Sequence, residues 1–222
     1  GVRKKNKKSI VLSVLAVIAA LIAAAVIGVF ALCQSWLQDL PDYTNADAYA
    51  VSKPSVVYAS DGTTVLAEFQ LENRDPVEFD QICDYVKEGT VATEDERFYE
   101  HNGVDLMGIA RALVNNLMGG DLEGASTITQ QFVRNTILAD EMTDISFKRK
   151  IREMYISLEL EKMYSKDEIL LMYLNTINYG NGTYGIEAAS ERYFSKHASE
   201  LTLAEAATLI GIPQSPTYNE PI

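Results

Sequence analysis

Two cysteines, two histidines and one tryptophan in 222 residues narrow the possibilities before any motif is read. So few cysteines rule out a disulfide framework. Cys33 closes a long apolar run, and Cys83 is expected to be a buried free thiol. The histidines, His101 and His197, are far apart in sequence, and no Cys/His pair has metal-ligand spacing. No glycine-rich phosphate loop of the P-loop pattern appears. Nor is there a Ser-x-x-Lys followed later by Lys-Thr-Gly, so serine acyl transfer has no support within these residues. There is no internal repeat and, outside the apolar run, no low-complexity segment. Positive charge is scarce too. All 31 acidic residues follow the apolar run, where only 14 of the 19 Lys and Arg stand, a formal charge of −17. A body this acidic is a poor nucleic-acid binder and repels anions at long range, so an anion site in it needs local cations or a metal.

From Ile10 to Leu32 charge is absent altogether: "IVLSVLAVIAALIAAAVIGVFAL" has 23 residues, preceded by Arg3, Lys4, Lys5, Lys7 and Lys8. At about 1.5 Å per residue the run exceeds the roughly 30 Å hydrocarbon core of a bilayer. A cleaved signal peptide has an apolar region of only about 7–15 residues with small residues before the cut. Here Leu32, a poor lipoprotein cleavage residue, precedes Cys33. The expectation is a cytoplasmic basic tail (1–9), one transmembrane helix (10–33) and an extracytoplasmic body, oriented by the positive-inside tendency. The chain opens at Gly1 without an initiator Met, as a processed product or a fragment would.

Beyond the anchor, residues 34–75 are read as an irregular neck, with Trp36 at the membrane interface, and a hairpin. "SVVYASDGTTVLAEF" places two β-branched runs around Asp61-Gly62, a strong hairpin signal. From about Pro76 the pattern becomes helical. Leu106, Ile109, Ala110, Leu113 and Leu117 keep i, i+3, i+4, i+7 spacing, with Gly119-Gly120 as the stop. Ile151, Met154, Tyr155 and Leu158 repeat the stripe. "SKDE" (Ser165 to Glu168) and "TLAE" (Thr202 to Glu205) read as capping boxes opening two more helices.

Four stretches of the helical part are more polar than a plain bundle needs. "ATEDERFYEHNGVD" (Ala92 to Asp105) crowds Glu94, Asp95, Glu96 and Glu100 around Phe98, Tyr99 and His101. Such acids suit a helix start, and crowding beside aromatics is also how a carboxylate is tuned into a general acid or base near neutrality. "GASTITQQFVRN" (Gly124 to Asn135) sets uncharged donors and acceptors side by side, as a sugar or phosphate ligand requires. Thr127 and Gln130 fit a capping box, which leaves Ser126, Thr129, Gln131 and Arg134 unexplained. In "KRKIRE" (Lys148 to Glu153), Arg149 and Lys150 share a helix face with Glu153. A surface ion pair needs fewer cations than Lys148, Arg149, Lys150 and Arg152, and such a cluster suits a diphosphate. "YLNTINYGNGTYG" (Tyr173 to Gly185) carries aromatics and amides of the kind that line sugar clefts, and equally the glycines of an ordinary helix connection.

Together these stretches resemble glycosyltransferase family 51, the peptidoglycan glycosyltransferases of class A penicillin-binding proteins and monofunctional transglycosylases. Glu94, Asp95, Phe98, His101 and Gly103 match the motif Glu-Asp-x-x-Phe-x-x-His-x-Gly, and Gly124 to Gln131 match Gly-x-Ser-Thr-Ile-Thr-Gln-Gln. Arg149, Lys150 and Glu153 match Arg-Lys-x-x-Glu. Lys166 to Asn175 match Lys-x-x-Ile-Leu-x-x-Tyr-Leu-Asn, and "LTLAEAATLIGIPQSPTYNEP" looks like the fifth region. Arg134 stands where relatives often have Lys, and Asn178 where many have an aromatic. The resemblance implies a mainly α, lysozyme-like, two-lobed domain over 76–222, with a larger head and a membrane-proximal lobe. It further implies that the domain continues beyond Ile222.

The implied activity is polymerisation of lipid II into β-1,4-linked glycan. Glu94 is implied as the general base, with Glu153 as the second catalytic carboxylate. Asp95, Phe98, His101, Gly103, Ser126, Thr127, Thr129, Gln130, Gln131, Arg134, Arg149, Lys150, Tyr173 and Asn175 are implied around the substrate. A divalent cation, Mg²⁺ or Mn²⁺, is expected, with Glu153 as its candidate ligand, and no organic cofactor. Expected partners are lipid II, the growing glycan strand, membrane lipid and other cell-wall synthesis proteins, with no nucleic acid. Two rivals remain: a membrane-anchored lysozyme-like hydrolase, and a non-catalytic scaffold of the cell-wall machinery. The cation-rich third stretch speaks against the first, and the intact Glu94 and Glu153 against the second.

Overall fold

The computed structural model describes residues 7–46, 55–69, 75–119 and 124–214. Arg3, Lys4, Lys5, Gly120 and positions 215–222 of the fifth region lie outside the described residues. Among these the chain is mainly α, with eight helices and one antiparallel strand pair. Helix α1 (Lys7–Trp36) is long and apolar enough to cross a membrane, and the rest of the protein covers none of its apolar window. Its 30 residues span about 45 Å.

Strands β1 (Ser55–Tyr58) and β2 (Val65–Phe69) pair antiparallel, Ser55 opposite Phe69, with a register shift after Val57. The connecting loop is longer than the Asp-Gly dipeptide alone would close. Gly62 takes φ +71°, and Asp61 Oδ1 accepts from the amides of Thr63 and Thr64, each at 2.9 Å. The Thr64 hydroxyl and amide, then the Thr63 amide, hold the Asp61 carboxyl down at about 2.

The body is built from α2 (Asp84–Glu94), α3 (Leu106–Leu117), α4 (Ile128–Asn135), α5 (Phe147–Met163), α6 (Lys166–Thr176), α7 (Ile186–Phe194) and α8 (Leu203–Gly211). Among the described α-helices, three open on capping boxes with both halves in place: Thr127/Gln130, Ser165/Glu168 and Thr202/Glu205. Helix α3 stops where the sequence predicts, Gly119 following it at φ +78°. Short α4 sits at the centre, packed on both α5 and α6. Its Ile128, Phe132 and Val133 are fully buried, each contributing about 1.5–3 kcal/mol.

Two apolar stripes face other ways than their spacing suggests. On α3 the buried residues are Gly108 and Ala112, while Leu106, Leu113 and Leu117 are exposed. Gly108 leaves room for the helix's own N-cap: a Cβ there would lie 2.5 Å from Asp105 Oδ2. On α5 the buried face is Arg152, Glu153, Ile156, Ser157 and Leu160, whereas Leu158 is exposed. Charged residues occupy the inside of that helix because each finds a partner there. Cys83 is half-buried at the N-cap of α2 rather than fully enclosed. Residues 37–46 of the neck form no helix or strand, yet they pack on the body: Ala46 is fully buried and Leu40 and Tyr43 lie against the core.

Candidate active site

The end of α2 and the start of α4 meet at a cleft of about 750 Å³. Glu94, Asp95, Arg97, Asp105, Arg111, Ser126, Thr127, Gln131 and Arg134 line it. Glu94 is the last residue of α2 and Asp95 its C-cap, so the chain turns away at that point and leaves the Glu94 carboxylate at the helix end. Asp95 then stitches the turn to α4: its Oδ2 accepts from the Ile128 amide at 3.0 Å, and both its oxygens lie 2.9 Å from His101 Nε2. The Thr127 hydroxyl donates to the Gly103 carbonyl at 2.7 Å. Gly103 itself has φ +82°, and a Cβ there would lie 2.6 Å from the Ser157 carbonyl, so only glycine lets the turn lie against α5.

Glu94 is positioned by a two-step relay. Tyr173 donates its hydroxyl to Gln131 Oε1 at 3.1 Å, and Gln131 Nε2 donates to Glu94 Oε2 at 2.8 Å. Burial, reinforced by the Glu94 charge, pushes the Tyr173 phenol well above its ordinary value, which keeps it a donor. With the Gln131 carbonyl engaged by that donor, its amide must face Glu94, which accepts as a carboxylate does. Glu94 Oε1 has no hydrogen-bond partner among the described residues. The site therefore holds an oriented carboxylate whose second oxygen is buried and uncommitted.

Arg149, Lys150 and Glu153 form a compact unit beside this cleft. Glu153 is fully buried. Arg149 Nη1 donates to its Oε2 at 2.6 Å, and Lys150 Nζ is paired with its Oε1. Lys150 also donates to Ser126 Oγ at 2.9 Å and to Gln130 Oε1 at 3.2 Å. Ser126 belongs to the cleft lining, so it links the cations to the Glu94 cavity. Across the cleft Arg97 is paired with Asp105. Burial alone would raise the Asp105 carboxyl, but the Gly108 amide and Arg97 more than offset this and leave it lowered.

Glu153 does not fit the expected role of metal ligand in this arrangement. Both its oxygens are engaged by cations, and it belongs to no group of three potential metal ligands among the described residues. A group with the atoms to hold a metal ion lies elsewhere: Glu187 and Glu191 on α7 with His197, none of which lines the cleft.

The remaining residues expected at the substrate divide into those that line the cleft and those that do not. Ser126, Thr127, Gln131, Arg134, Glu94 and Asp95 line the cleft. Phe98, Thr129, Gln130, Tyr173 and Asn175 are buried and are not part of that lining. They build the walls instead of presenting surface, because each is held by a neighbour. Thr129 donates to Glu161 Oε1 at 2.6 Å, Asn175 exchanges hydrogen bonds with the Val77 backbone at 3.2 and 2.9 Å, and Lys166 lies 4.4 Å over the Phe98 ring. Tyr173 to Thr176 end α6, and 177–185 form the glycine-rich connection to α7, with Tyr179 buried and Gly180, Gly182 and Gly185 at positive φ. Sequence reading missed Arg97, Asp105 and Arg111 as cleft residues. Their signal was weak, being single charges within an acidic run or an apolar stripe.

Comparison with known proteins agrees with this geometry. A family model described as Transglycosylase matches residues 62–222. Penicillin-binding protein 1A of Clostridium perfringens (strain 13 / Type A) is 42% identical over 200 residues, covering 88% of this chain and 29% of the relative. Penicillin-binding protein 1A/1B of Bacillus subtilis (strain 168) is 48% identical over 170 residues, covering 76% of this chain and 18% of the relative. Penicillin-binding protein 1F of the same organism is 45% identical over 158 residues, 71% and 22% respectively. The chain thus spans less than a third of the length of these relatives. With residues of the first and second motifs lining one cleft, the third tied to it through Ser126, and the family match covering most of the chain, this protein belongs to the transglycosylase family, the peptidoglycan glycosyltransferases.

Proposed function

We propose that the chain polymerises lipid II into β-1,4-linked glycan, inverting C1 of the donor N-acetylmuramic acid and releasing undecaprenyl diphosphate. The observation that carries this reading is Glu94 in the cleft lining, oriented through Gln131 and Tyr173 with a buried, uncommitted Oε1. Glu94 takes the proton from the 4-hydroxyl of the acceptor N-acetylglucosamine. That oxygen attacks C1 of the donor, and the C1–O bond to the diphosphate breaks. The leaving group departs as an anion and needs charge neutralisation more than a proton, which Arg134, Arg149 and Lys150 supply. No step is routed through a divalent cation, since Glu153 is already engaged by Arg149 and Lys150.

The basic flank of α1 favours a cytoplasmic N-terminus and an extracytoplasmic cleft. A bilayer contact of the body is supported by the exposed Leu106, Leu113, Leu117 and Met118 near α3, and by Ile145 and Phe147 before and at the start of α5. The cation unit on Ser126 favours a diphosphate substrate over finished glycan, and hence a polymerase over a hydrolase.

The test is consumption of lipid II by the detergent-solubilised protein and its Glu94→Gln variant, with and without Mg²⁺ or Mn²⁺, products being separated by chain length. Loss of a general base lowers the rate about 10²–10⁴-fold, while helical circular dichroism and thermal midpoint stay unchanged. Polymerisation by Glu94→Gln at the normal rate would overturn the assignment.

A further inference from the structure

The ten residues after α1 do not behave as a tether. Arg152, whose side chain is 6% exposed, donates Nη2 to the Asp39 carbonyl at 2.7 Å and pairs with Glu141 Oε1 at 3.1 Å. Tyr43 meets Tyr155 edge-on with centroids 6.4 Å apart, and the Ala46 amide donates to the Tyr164 hydroxyl at 3.2 Å. Arg152 and Tyr155 lie on α5, and Tyr164 is its C-cap. The neck is therefore bound along the helix that carries Arg149, Lys150 and Glu153. A free ten-residue linker would let its ends wander over roughly 17 Å. A docked one holds α5 at a fixed height and angle to the anchor.

The geometry points to Arg152 as a positioning residue that ties the membrane anchor to the Arg149–Lys150–Glu153 unit, so that the cleft is held at the depth of a bilayer-embedded substrate. Its neighbours Arg149 and Lys150 turn toward Glu153 and the cleft, whereas Arg152 turns toward Asp39 and Glu141. Glu141 belongs to the short turn Ala139–Glu141, so one guanidinium joins α5, the turn before it and the distant neck. Both contacts are made by Nη2, whose position is fixed by the planar guanidinium, whereas a lysine ammonium carries the charge without that planar geometry. The catalytic part of this inference rests on the polymerase reading; the docking of the neck does not.

The experiment uses the full chain in phosphatidylethanolamine–phosphatidylglycerol nanodiscs, comparing Arg152→Gln and Arg152→Lys with the parent. Amide hydrogen exchange over residues 37–46 is expected to accelerate about tenfold in Arg152→Gln, with α4 and α6 unchanged. Polymerisation of bilayer-embedded lipid II is expected to fall about tenfold. With a short-chain, water-soluble lipid II analogue in detergent the rate should stay within about threefold of the parent. Arg152→Lys should recover part of the bilayer activity. Unchanged exchange in the neck, or equal loss on both substrates, would overturn the assignment. Should the parent polymerise neither substrate, the polymerase reading fails and the exchange result alone decides whether Arg152 docks the neck.

Discussion

Gln131 stands between Tyr173 and Glu94, accepting from the first at 3.1 Å and donating to the second at 2.8 Å. A glutamine side chain has no intrinsic preference for which end faces which neighbour. The buried phenol, unable to ionise at working pH, makes the choice by being a donor. The orientation of the proposed base is thus set two residues away, on a different helix.

Tyr173→Phe removes the donor that fixes this orientation. The Gln131 amide can then turn its oxygen toward Glu94, a repulsive contact. The expected result is a fall in kcat of about tenfold, the equivalent of roughly 1.4 kcal/mol, with KM little changed. Steady-state kinetics with lipid II checks it. A rise in KM alone would mean that Tyr173 serves binding.

Lys150→Met leaves Glu153 fully buried with Arg149 as its one remaining cation. Destabilisation of about 1–3 kcal/mol is expected, read as a lower thermal midpoint. Adding Glu153→Gln to that variant should restore part of the lost stability, because the buried charge is then gone. Non-recovery in the double variant would show that Lys150 acts through Ser126 and Gln130 instead.

Gly103→Ala asks an L-residue to hold φ +82° with its Cβ 2.6 Å from the Ser157 carbonyl. Strain and clash together should cost more than about 2 kcal/mol. Because the Gly103 carbonyl accepts from Thr127, the damage should reach the start of α4, detectable as faster amide exchange there.

Glu205 provides a pH-dependent contribution. Its hydrogen bond from Lys196, then those from the Thr202 backbone and hydroxyl, hold its carboxyl down at about 2 against an ordinary 4.5. A depressed carboxyl contributes stability that is present above the unfolded value and is lost as pH falls through the folded one. The thermal midpoint of the parent should therefore drop between pH 4.5 and 2 more steeply than that of Glu205→Gln. Equal slopes would mean that the Lys196 and Thr202 contacts do not persist in solution.

Local signals were legible in the sequence because they are satisfied locally. The boxes at Thr127, Ser165 and Thr202 each close within four residues, and Gly119 ends α3 by its own backbone freedom. The direction in which a helix faces was less legible. The Leu106–Leu117 stripe points outward, and α5 buries Arg152 and Glu153. Periodicity assigns apolar residues to the inside, and it fails where a surface faces apolar surroundings or where buried charges meet partners from remote segments. For the same reason Arg152, grouped by sequence with the diphosphate-binding cations, turns to the neck instead.

By itself the sequence determined a charge-free run long enough for a bilayer, an acidic body, and four polar stretches whose residue types suit sugar and diphosphate. These follow from composition and spacing, which need no partner to be read. Only the tertiary structure decided which of those residues line the cleft, that Glu94 is held by Gln131 and Tyr173, that both Glu153 oxygens are engaged, and that the neck lies docked on α5. Each of those is a contact between segments far apart in the chain, fixed by close packing and by the need of every buried polar group for a partner.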